Sequence, residues 1–399
     1  MKRPINPRAF PDFLKHESAG GIILFVCVLV SLMIANSPLG AGFNSLLEHP
    51  IGFNTNSIQL NYPVGLWIND GLMAIFFLLV GLEIKRELVE GELASPQKAA
   101  LPIICAIGGA LIPAGIYTFL NAGTPTASGW GIPMATDIAF ALAVITMLGK
   151  RVPASLKIFL AALAIVDDLL AILVIALFYS AELNFIYLAY AGALLIMLVL
   201  FNRFGVKNIA FYMIPGIFIW YFIHHSGIHA TIAGVLTALT LPTTPDSTES
   251  PLEKLEHALV KPVNFLIIPI FALANTNIRI EDGMVEGLFS SLGMGIILGL
   301  MVGKPVGVFL LSWLSVKFKL CQLPKGANWT HIIGVGLLAG IGFTMSIFIA
   351  LLSFVDADLI AIAKFAILTA SFLSGIIGFL LLKMVGGKQH LTAQNPIGD

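Results

Sequence analysis

The feature that most constrains this chain is a succession of apolar runs, each about as long as a helix that crosses a membrane. A transmembrane helix needs roughly 20 mainly apolar residues to span the hydrocarbon core, and it satisfies its own backbone hydrogen bonds, which lipid cannot do. We therefore predict an all-α integral membrane protein, a single polytopic domain over residues 1–399 with about twelve spans. The runs lie at about 18–36, 64–84, 99–120, 129–148, 154–180, 184–202, 208–223, 227–241, 258–275, 288–316, 330–354 and 358–385.

Composition supports this class and excludes others. Hydrophobic residues make up 58% of the chain and charged residues 11%, whereas an ordinary soluble domain is about 25% charged. The formal net charge is zero, so we expect no nucleic-acid partner. The three cysteines are scattered and predict neither a disulfide framework nor a metal cluster. We expect no cofactor and no enzymatic activity, and we expect the first run to be a retained span.

Basic residues indicate how the spans are oriented. All but three of the 22 Lys and Arg residues fall in the terminal segments or in alternate loops. The exceptions are Arg279, in an opposite loop, and Lys304 and Lys364, within apolar runs. Because cytoplasmic loops carry the excess of Lys and Arg, we expect both termini to lie in the cytoplasm, with an even number of spans.

Two adjacent carboxylates, Asp167 and Asp168, interrupt the apolar run 154–179 at its centre. An ionisable residue at the bilayer centre costs at least about 2.5–3.5 kcal/mol, so a pair needs a compensating partner, cation or proton. Ala164 and Ala171 lie one helical turn to either side, so small residues line the seam beside both carboxylates. We predict a site for a cation and protons at the bilayer midplane. A neutral, protonated pair buried for packing alone is the alternative.

Two apolar runs contain residues that should interrupt a helix near mid-membrane. In 129–148, Pro133 removes a backbone hydrogen bond; in 330–354, Gly340 and Gly342 straddle the centre. Irregular backbone at that depth is tolerated only where protein or a water-filled cavity receives its polar groups. Paired interrupted spans in corresponding positions of two halves are typical of a transporter site.

Charged residues near these breaks suggest how the inner helix ends are balanced. An interrupted helix leaves unpaired N–H groups, which are positive, and C=O groups, which are negative. Asp137, which follows Thr136 at the first break, is placed to balance positive ends. Lys304, also deep in the membrane, balances negative ends, pairs with Asp167, or serves the fold alone. Lys364 lies nearer the end of its run, and we expect it to snorkel or to pack at an interface.

Six further ionisable residues are weaker candidates. Four of them lie at the cytoplasmic ends of the second and ninth runs, where a solvated helix end is the alternative reading. One lies near the external end of the second run, and one histidine lies in a helix of small residues, where a packing role is the alternative. In that order they are Glu83, Glu87, Glu256, His257, Asp70 and His229.

The domain organisation follows from the same pattern. The third and tenth runs begin on opposite sides of the membrane, so we expect residues 99–180 and 288–385 to be inverted repeats that form the core. Residues 49–62 suggest a short external β-hairpin, with an irregular loop as the alternative. Residues 242–251 form a polar, turn-rich segment that we expect to be a flexible cytoplasmic linker.

Seven segments, in order and over nearly the whole length, resemble the NhaA family of bacterial Na⁺/H⁺ antiporters. They are FFLLVGLEIKREL (76–88), ATDIAFALAV (135–144), AIVDDLLAI (164–172), SGIHATIAGV (226–235), LEH (255–257), GKPVG (303–307) and GIGFTMSIFIA (340–350). The resemblance implies an inner-membrane transporter whose two interrupted helices cross at mid-membrane. It also implies a homodimer formed through the hairpin, and pH-regulated exchange of Na⁺ or Li⁺ for protons.

The resemblance assigns roles to individual positions near the carboxylate pair. Asp167 and Asp168 match the family's ion-binding aspartates, with Asp168 as the more direct ligand of Na⁺. Thr136 and Asp137 match the break in the fourth helix. Lys304 matches a lysine that either balances helix ends or exchanges a salt bridge with the position of Asp167.

The resemblance also implies a group of pH-sensing residues at the cytoplasmic funnel. Glu83, Glu87, Glu256 and His257 match its positions. Val260 departs from the family pattern, because some members have a second histidine there. The resemblance therefore does not extend to the pH profile of this chain.

Competition for one site is the physical basis of such an exchange. Na⁺ is a hard cation that prefers oxygen ligands, while burial and a neighbouring like charge favour the protonated form of a carboxyl group. Exchange of two protons for one Na⁺, which the resemblance implies, moves one net charge, worth about 2.3 kcal/mol per 100 mV. An inside-negative potential would then drive protons inward and Na⁺ outward.

Two other functions stay open at this point. A Na⁺-coupled carrier of an organic solute has a related architecture and should have a roomier cavity with solute-binding groups. An intramembrane aspartyl protease needs carboxylates on two facing helices, whereas adjacent residues on one helix project about 100° apart.

Overall fold

In a computed structural model, the protein is built almost entirely of helices. The structure describes residues 9–55, 59–180, 183–243, 249–281 and 283–394, and only the backbone of 9–19 and 387–394. The α-helices are α1 (Ala9–Ala35), α2 (Gly40–Glu48), α3 (Val64–Leu66), α4 (Met73–Val89), α5 (Pro96–Asn121), α6 (Ile138–Met147), α7 (Ala154–Phe178), α8 (Phe185–Arg203), α9 (Ala210–His225), α10 (Ile232–Thr240), α11 (Pro251–Pro262), α12 (Ile268–Asn275), α13 (Met284–Leu288), α14 (Ser291–Leu298), α15 (Lys304–Lys317), α16 (Trp329–Ala339), α17 (Phe343–Ser353) and α18 (Ala357–Gln394). Short 3₁₀ turns lie at Glu92–Ala94, Ala127–Met134 and Gly149–Arg151, and π-helical turns at Trp67–Leu72, Val263–Ile267 and Gly299–Gly303.

The described residues contain eight helices that are long and apolar enough to cross a membrane, or ten if two bent pairs each form one span. Gly20–Ala35 and α2 form one pair, bent by 108°, and α16 and α17 form the other, bent by 47°. The seventh and eighth apolar runs form α9 and α10, which have only 16 and 9 residues and are too short to count. The predicted multi-span helical fold is confirmed, whereas the number of twelve is not.

A short β-hairpin lies between α2 and α3, as predicted. Strand β1 (Pro50–Ile51) pairs antiparallel with β2 (Tyr62–Pro63), with Ile51 opposite Tyr62. Asn54 and Gln59 form a further isolated bridge toward the tip. Residues 56–58 of the predicted hairpin lie outside the described residues.

Prolines account for two of the π-helical turns. Pro269 follows the turn at Val263–Ile267, and Pro305 follows the turn at Gly299–Gly303. A proline lacks an N–H, and its ring clashes with the carbonyl four residues earlier. In both helices that carbonyl lies within the π-helical turn, whose wider winding accommodates the proline. The turn at Gly299–Gly303 directly precedes Lys304 at the start of α15.

One of two compact units contains residues 23–91 and 172–280. Its core includes Leu82 of α4, Tyr212 of α9, Ala233 of α10 and other fully buried side chains. Ser250 begins α11 with a capping box, because its hydroxyl accepts from the N–H of Glu253 at 3.2 Å and its own N–H donates to that carboxylate. Of the linker predicted at 242–251, residues 244–248 lie outside the described residues.

The other unit contains residues 9–22, 92–171 and 283–394, together with Glu281. Within it, α5 crosses α15 so closely that a Cβ at Gly108 or Gly307 would meet the backbone of the other glycine. Small residues allow membrane helices to approach in this way. This unit includes most of both segments expected to be inverted repeats, and the repeat relation and domain boundaries stay predictions.

Candidate functional site

The adjacent carboxylates lie in the middle of α7 and are almost completely buried. Asp167 is 2% exposed and Asp168 is 1% exposed. Ala164 and Ala171, the small residues one turn away, are also buried. Burying a charge is expensive unless the charge is paired and hydrogen-bonded, so the partners of each carboxylate oxygen decide what this site can do.

Asp167 has partners on one oxygen only. Its Oδ2 forms an ion pair with Nζ of Lys304, and both side chains are excluded from solvent. The same Oδ2 accepts a hydrogen bond of 2.6 Å from the hydroxyl of Thr136. Its Oδ1 is buried and has no hydrogen-bond partner among the described residues.

Asp168 has no hydrogen-bond partner on either carboxylate oxygen among the described residues, although both oxygens are buried. Together with Oδ1 of Asp167, three carboxylate oxygens are therefore unsatisfied. Buried polar groups are normally hydrogen-bonded, and an exception needs an explanation. Oxygens of this kind, with the hydroxyl of Thr136 nearby, are the donor set that suits a hard cation such as Na⁺.

The first helix interruption lies between the 3₁₀ turn Ala127–Met134, which contains Pro133, and α6. Asp137 precedes α6 in an extended conformation, and its Oδ1 accepts a hydrogen bond of 2.9 Å from the N–H of Phe140. Asp137 is therefore the N-cap of α6, and its carboxylate lies at the positive end of that helix.

The second interruption lies between α16 and α17, and it contacts the first. Oδ2 of Asp137 accepts from the N–H of Thr344 at 3.1 Å and from its hydroxyl at 2.5 Å. Asp137 thus faces the N-terminal ends of both α6 and α17. The N–H of Asp137 donates to the carbonyl of Ile341 at 2.7 Å, and the hydroxyl of Thr136 lies 2.8 Å from the carbonyl of Ala339.

The glycines at the second interruption make room for this contact. A Cβ at Gly340 would lie 3.0 Å from the carbonyl oxygen of Leu337 and 3.1 Å from the hydroxyl of Ser374, and would also meet the carbonyl oxygen of Leu300. A Cβ at Gly342 would meet the hydroxyl of Ser346. Gly340 therefore has no room for a side chain against backbone, whereas a side chain at position 342 would displace Ser346.

Lys304 contacts the carboxylate of Asp167 and no helix end that the structure records. The sequence left open whether it balances the C-terminal helix ends or pairs with Asp167. At the C-terminal end of α16, the carbonyl of Ala339 lies 2.8 Å from the hydroxyl of Thr136, and the carbonyl of Ile341, just beyond the helix, accepts from the N–H of Asp137.

Hydroxyl side chains that sequence reasoning missed complete the interrupted helices. Ser346 donates to the carbonyl of Ile132 at 2.8 Å, and Ser371 accepts from the N–H of Phe343 at 3.1 Å. Thr344, described above, belongs with them. The sequence does mark these residues, because a hydroxyl residue within an apolar run beside a predicted break is unusual. It does not identify their partners, which are more than 25 residues away in sequence.

The candidate funnel residues belong to the unit formed by residues 23–91 and 172–280. Arg86, which sequence reasoning did not assign, lies at their centre: its Nε is 3.0 Å from Glu256, and its Nη2 is 3.4 Å from Glu87. His257 is exposed and pairs with Glu249 at 2.9 Å. Glu83, on the same helix, interacts electrostatically with the guanidinium of Arg86.

Asp70 and His229 belong to the same unit and lie near each other. Nδ1 of His229 is 4.0 Å from Asp70, and Nδ1 of His224 is 3.3 Å from it. Trp220 donates to the carbonyl of Asp70 at 3.2 Å, and its ring stacks on His224. Within the described part of the chain, no three His, Cys, Asp or Glu side chains are grouped to hold a metal ion.

Comparisons with known proteins agree on one family. The model of the family described as Na⁺/H⁺ antiporter 1 matches residues 11–382. The Na⁺/H⁺ antiporter NhaA 2 of Flavobacterium johnsoniae is 63% identical over 383 residues, 96% of this chain and 94% of that protein. The Na⁺/H⁺ antiporter NhaA of Flavobacterium psychrophilum is 50% identical over 376 residues, 94% and 96% of the two chains.

A solved structure shares the fold at much lower identity. The sodium proton antiporter MjNhaP1 from Methanocaldococcus jannaschii, solved at pH 8, superposes with a TM-score of 0.57 and 14% sequence identity. The match covers 95% of this chain and 98% of that one. At this identity the likeness concerns the helical fold alone.

Proposed function

The chain belongs to the Na⁺/H⁺ antiporter 1 family and is a Na⁺/H⁺ antiporter of the NhaA type, and from this premise we propose that Asp167 and Asp168 bind Na⁺ and protons in turn. One observation carries the proposal. Three buried oxygens of these carboxylates have no hydrogen-bond partner among the described residues, in the unit that also contains both interrupted helices. A cation or protons would neutralise them.

Asp168 is the more direct ligand in this proposal, because both of its oxygens are available. Oδ1 of Asp167 and the hydroxyl oxygen of Thr136 supply further oxygens of the kind that Na⁺ prefers. Desolvation and mutual repulsion of the two carboxylates favour protons when Na⁺ is absent. The two aspartates titrate as one coupled unit, so the protons belong to the pair.

We infer that Thr136 and Lys304 couple the protonation state of Asp167 to the interruption between α16 and α17. Thr136 has one hydroxyl proton but faces two acceptors, Asp167 and the carbonyl of Ala339. An ionised Asp167, paired with Lys304, takes this hydrogen bond. A protonated Asp167 needs neither, so Thr136 turns to Ala339 and the ion pair with Lys304 weakens. Protonation is thereby coupled to the end of α16.

Two protons exchanged for one Na⁺ would move one net charge in each cycle, worth about 2.3 kcal/mol per 100 mV. An inside-negative potential would then drive proton influx and Na⁺ efflux across the bacterial inner membrane, with both termini in the cytoplasm. Movement of the repeat-containing residues 99–180 and 288–385 as one body would expose the site to each side alternately. Such exchange supports salt tolerance and pH homeostasis.

Regulation and assembly are further parts of the proposal. Glu83, Glu87, Glu256 and His257 sense pH at a cytoplasmic funnel, supported by the meeting of Glu87 and Glu256 on Arg86. The hairpin at 49–62 joins two copies of the chain, supported by the marginal stability of an isolated two-stranded hairpin.

The test is exchange by purified protein reconstituted in vesicles. Addition of Na⁺ or Li⁺ should dissipate an imposed pH gradient with the unaltered chain and with Asp358→Asn, a control at an exposed carboxylate of α18. Asp168→Asn should abolish this dissipation and should leave the thermal unfolding temperature unchanged. Full activity of Asp168→Asn would contradict the assignment of the site. An exchange rate that does not change with an imposed membrane potential would contradict the proposed stoichiometry.

A further inference from the structure

His331 occupies an unusual position at the start of α16. It is completely buried and forms a capping box with Asn328, which precedes the helix. Oδ1 of Asn328 accepts from the N–H of His331 at 3.0 Å, and the N–H of Asn328 points back at Nδ1 of His331 at 3.1 Å. Glu and Gln usually fill this third position of a capping box, because their side chains accept a hydrogen bond.

The capping box requires one particular form of the imidazole. A backbone N–H can only donate, so Nδ1 of His331 must be unprotonated, and the ring proton must be on Nε2. Nε2 is buried and has no hydrogen-bond partner among the described residues. A second proton, on Nδ1, would point at the N–H of Asn328. The cap would open, and a cation would be buried.

The surroundings of α16 offer little to neutralise such a cation. Gly334 of α16 packs against Leu382, and Trp329 packs against Phe309, so His331 lies near the middle of α15 and the later part of α18. The neighbouring α6 and the π-helical turn at Gly299–Gly303 have no titratable residue. Titratable residues elsewhere on α15, on the described side chains of α18 and in the segment before α16 are Lys304, Lys317, Lys319, Cys321, Lys325, Asp358, Lys364 and Lys383.

Only one of these groups is acidic, and it is remote. Asp358 lies at the first turn of α18, whereas Leu382, which packs near His331, lies 24 residues later in the same helix. Lys383, next to Leu382 in sequence, is a cation. Lys304 is engaged with Asp167. No carboxylate among the described residues of these elements is therefore near enough to balance a positive charge on the buried ring.

The opposite end of α16 reaches the proposed ion site. This helix has only eleven residues. The carbonyl of Ala339, its last residue, lies 2.8 Å from the hydroxyl of Thr136, and the carbonyl of Ile341 accepts from the N–H of Asp137. Disorder of the first turn of α16 at His331 would therefore disturb the contacts that Thr136 and Asp137 make at the other end of the same helix.

We propose that the capping box of Asn328 and His331 is a pH-sensitive latch on α16: the neutral ring closes it, and protonation opens it and slows exchange in acid. This inference rests on the proposed function and its topology, which place His331 near the cytoplasm. An unperturbed histidine titrates near pH 6.5, so the latch acts on the acid side of the activity profile.

The test compares His331→Gln, which keeps an acceptor that does not titrate, with His331→Leu, which removes it. Na⁺-dependent exchange in vesicles and thermal unfolding are both measured from about pH 5.5 to 8.5. His331→Gln should match the unaltered chain at alkaline pH and move the acid half-activity point down by about half a pH unit or more. The unaltered chain should lose thermal stability relative to His331→Gln as pH falls, because only its cap requires the neutral ring. His331→Leu should be impaired at every pH.

Nitrogen NMR of labelled histidine supplies a readout that does not depend on a variant that folds. At pH 8 the unaltered chain should show His331 with its proton on Nε2. A proton on Nδ1 at pH 8, or an identical acid limb and pH-dependent stability for the unaltered chain and His331→Gln, would overturn the latch. Antiport at the aspartates would survive that result. Full exchange by Asp168→Asn would instead overturn the proposed function and leave the NMR result untouched.

Discussion

Lys304 and Asp167 form an ion pair in which both side chains have no exposure to solvent. The pair joins α15 to α7, and the hydroxyl of Thr136 is the other recorded donor to Asp167. A buried ion pair contributes little net stability compared with apolar residues, but removal of one partner leaves an uncompensated charge. This asymmetry separates a structural role of the pair from a role in exchange.

Lys304→Met should destabilise the protein by about 3–5 kcal/mol, because it leaves Asp167 buried and unpaired. The double variant Lys304→Met with Asp167→Asn should recover most of that loss, because no buried charge remains. Thermal unfolding in detergent measures both. If Lys304→Met alone unfolds at the temperature of the unaltered chain, the pair carries no structural role. The double variant should stay inactive in exchange.

Asp137→Asn should destabilise by about 1–3 kcal/mol, because it removes the negative charge from the N-terminal ends of both α6 and α17. Asp356→Asn is the matched control, since Asp356 accepts from the N–H of Asp358 at 2.8 Å at the exposed start of α18. Asn caps a single exposed helix about as well as Asp does. Equal shifts in unfolding temperature for the two variants would contradict the special position of Asp137.

Lys85→Met should destabilise by about 1.5–3 kcal/mol, the usual loss for hydrogen bonds to a charged group. Nζ of Lys85 donates to the carbonyls of Leu239 and Leu241 at 2.8 and 2.5 Å, at the C-terminal end of the short helix α10. Lys98→Met removes only an exposed pair with Glu92 at 3.3 Å and should change stability by less than about 1 kcal/mol. Hydrogen exchange of α10 should rise in Lys85→Met alone.

Gly307→Ala should destabilise by about 1–3 kcal/mol through overpacking. Its Cβ would meet the backbone of Gly108, and neither α5 nor α15 can yield there without a shift of the helix. Gly115→Ala in α5 is the control, because nothing lies within 4 Å of its added Cβ. Alanine should stabilise that helix position by about 0.5–1 kcal/mol. A Gly307→Ala protein as stable as Gly115→Ala would show that the crossing is looser than the structure indicates.

Much of the fold follows from local pattern. The apolar runs predict the helices from α4 to α8 and the later spans. Each run does so independently of the others, because its transfer from water to lipid depends only on its own residues. Length was misleading where the chain turns early. The runs at 208–223 and 227–241 form α9 and α10, which are shorter than a span, because Ser226 and Gly227 lie in turns between them and α10 ends before Leu241.

Some residues of the candidate site can be recognised in the sequence, and others only in the structure. Asp167, Asp168, Asp137 and Lys304 stand out in sequence, because a charge in an apolar run is costly wherever the run packs. Arg86, Ser346 and His331 do not stand out, since each is an ordinary residue until a distant partner is known. Their importance depends on contacts with Glu256, Ile132 and Asn328, respectively.

The sequence by itself determined that this protein spans a membrane. It also determined the positions of the charges along the chain and the two spans that cannot stay helical. These properties depend on the transfer of each segment from water to lipid, which is local. Only the tertiary structure decided that Lys304 pairs with Asp167, that Asp137 serves two helix ends, and that His331 closes α16. A buried charge must find a partner, but its identity depends on distances between helices that no local pattern contains.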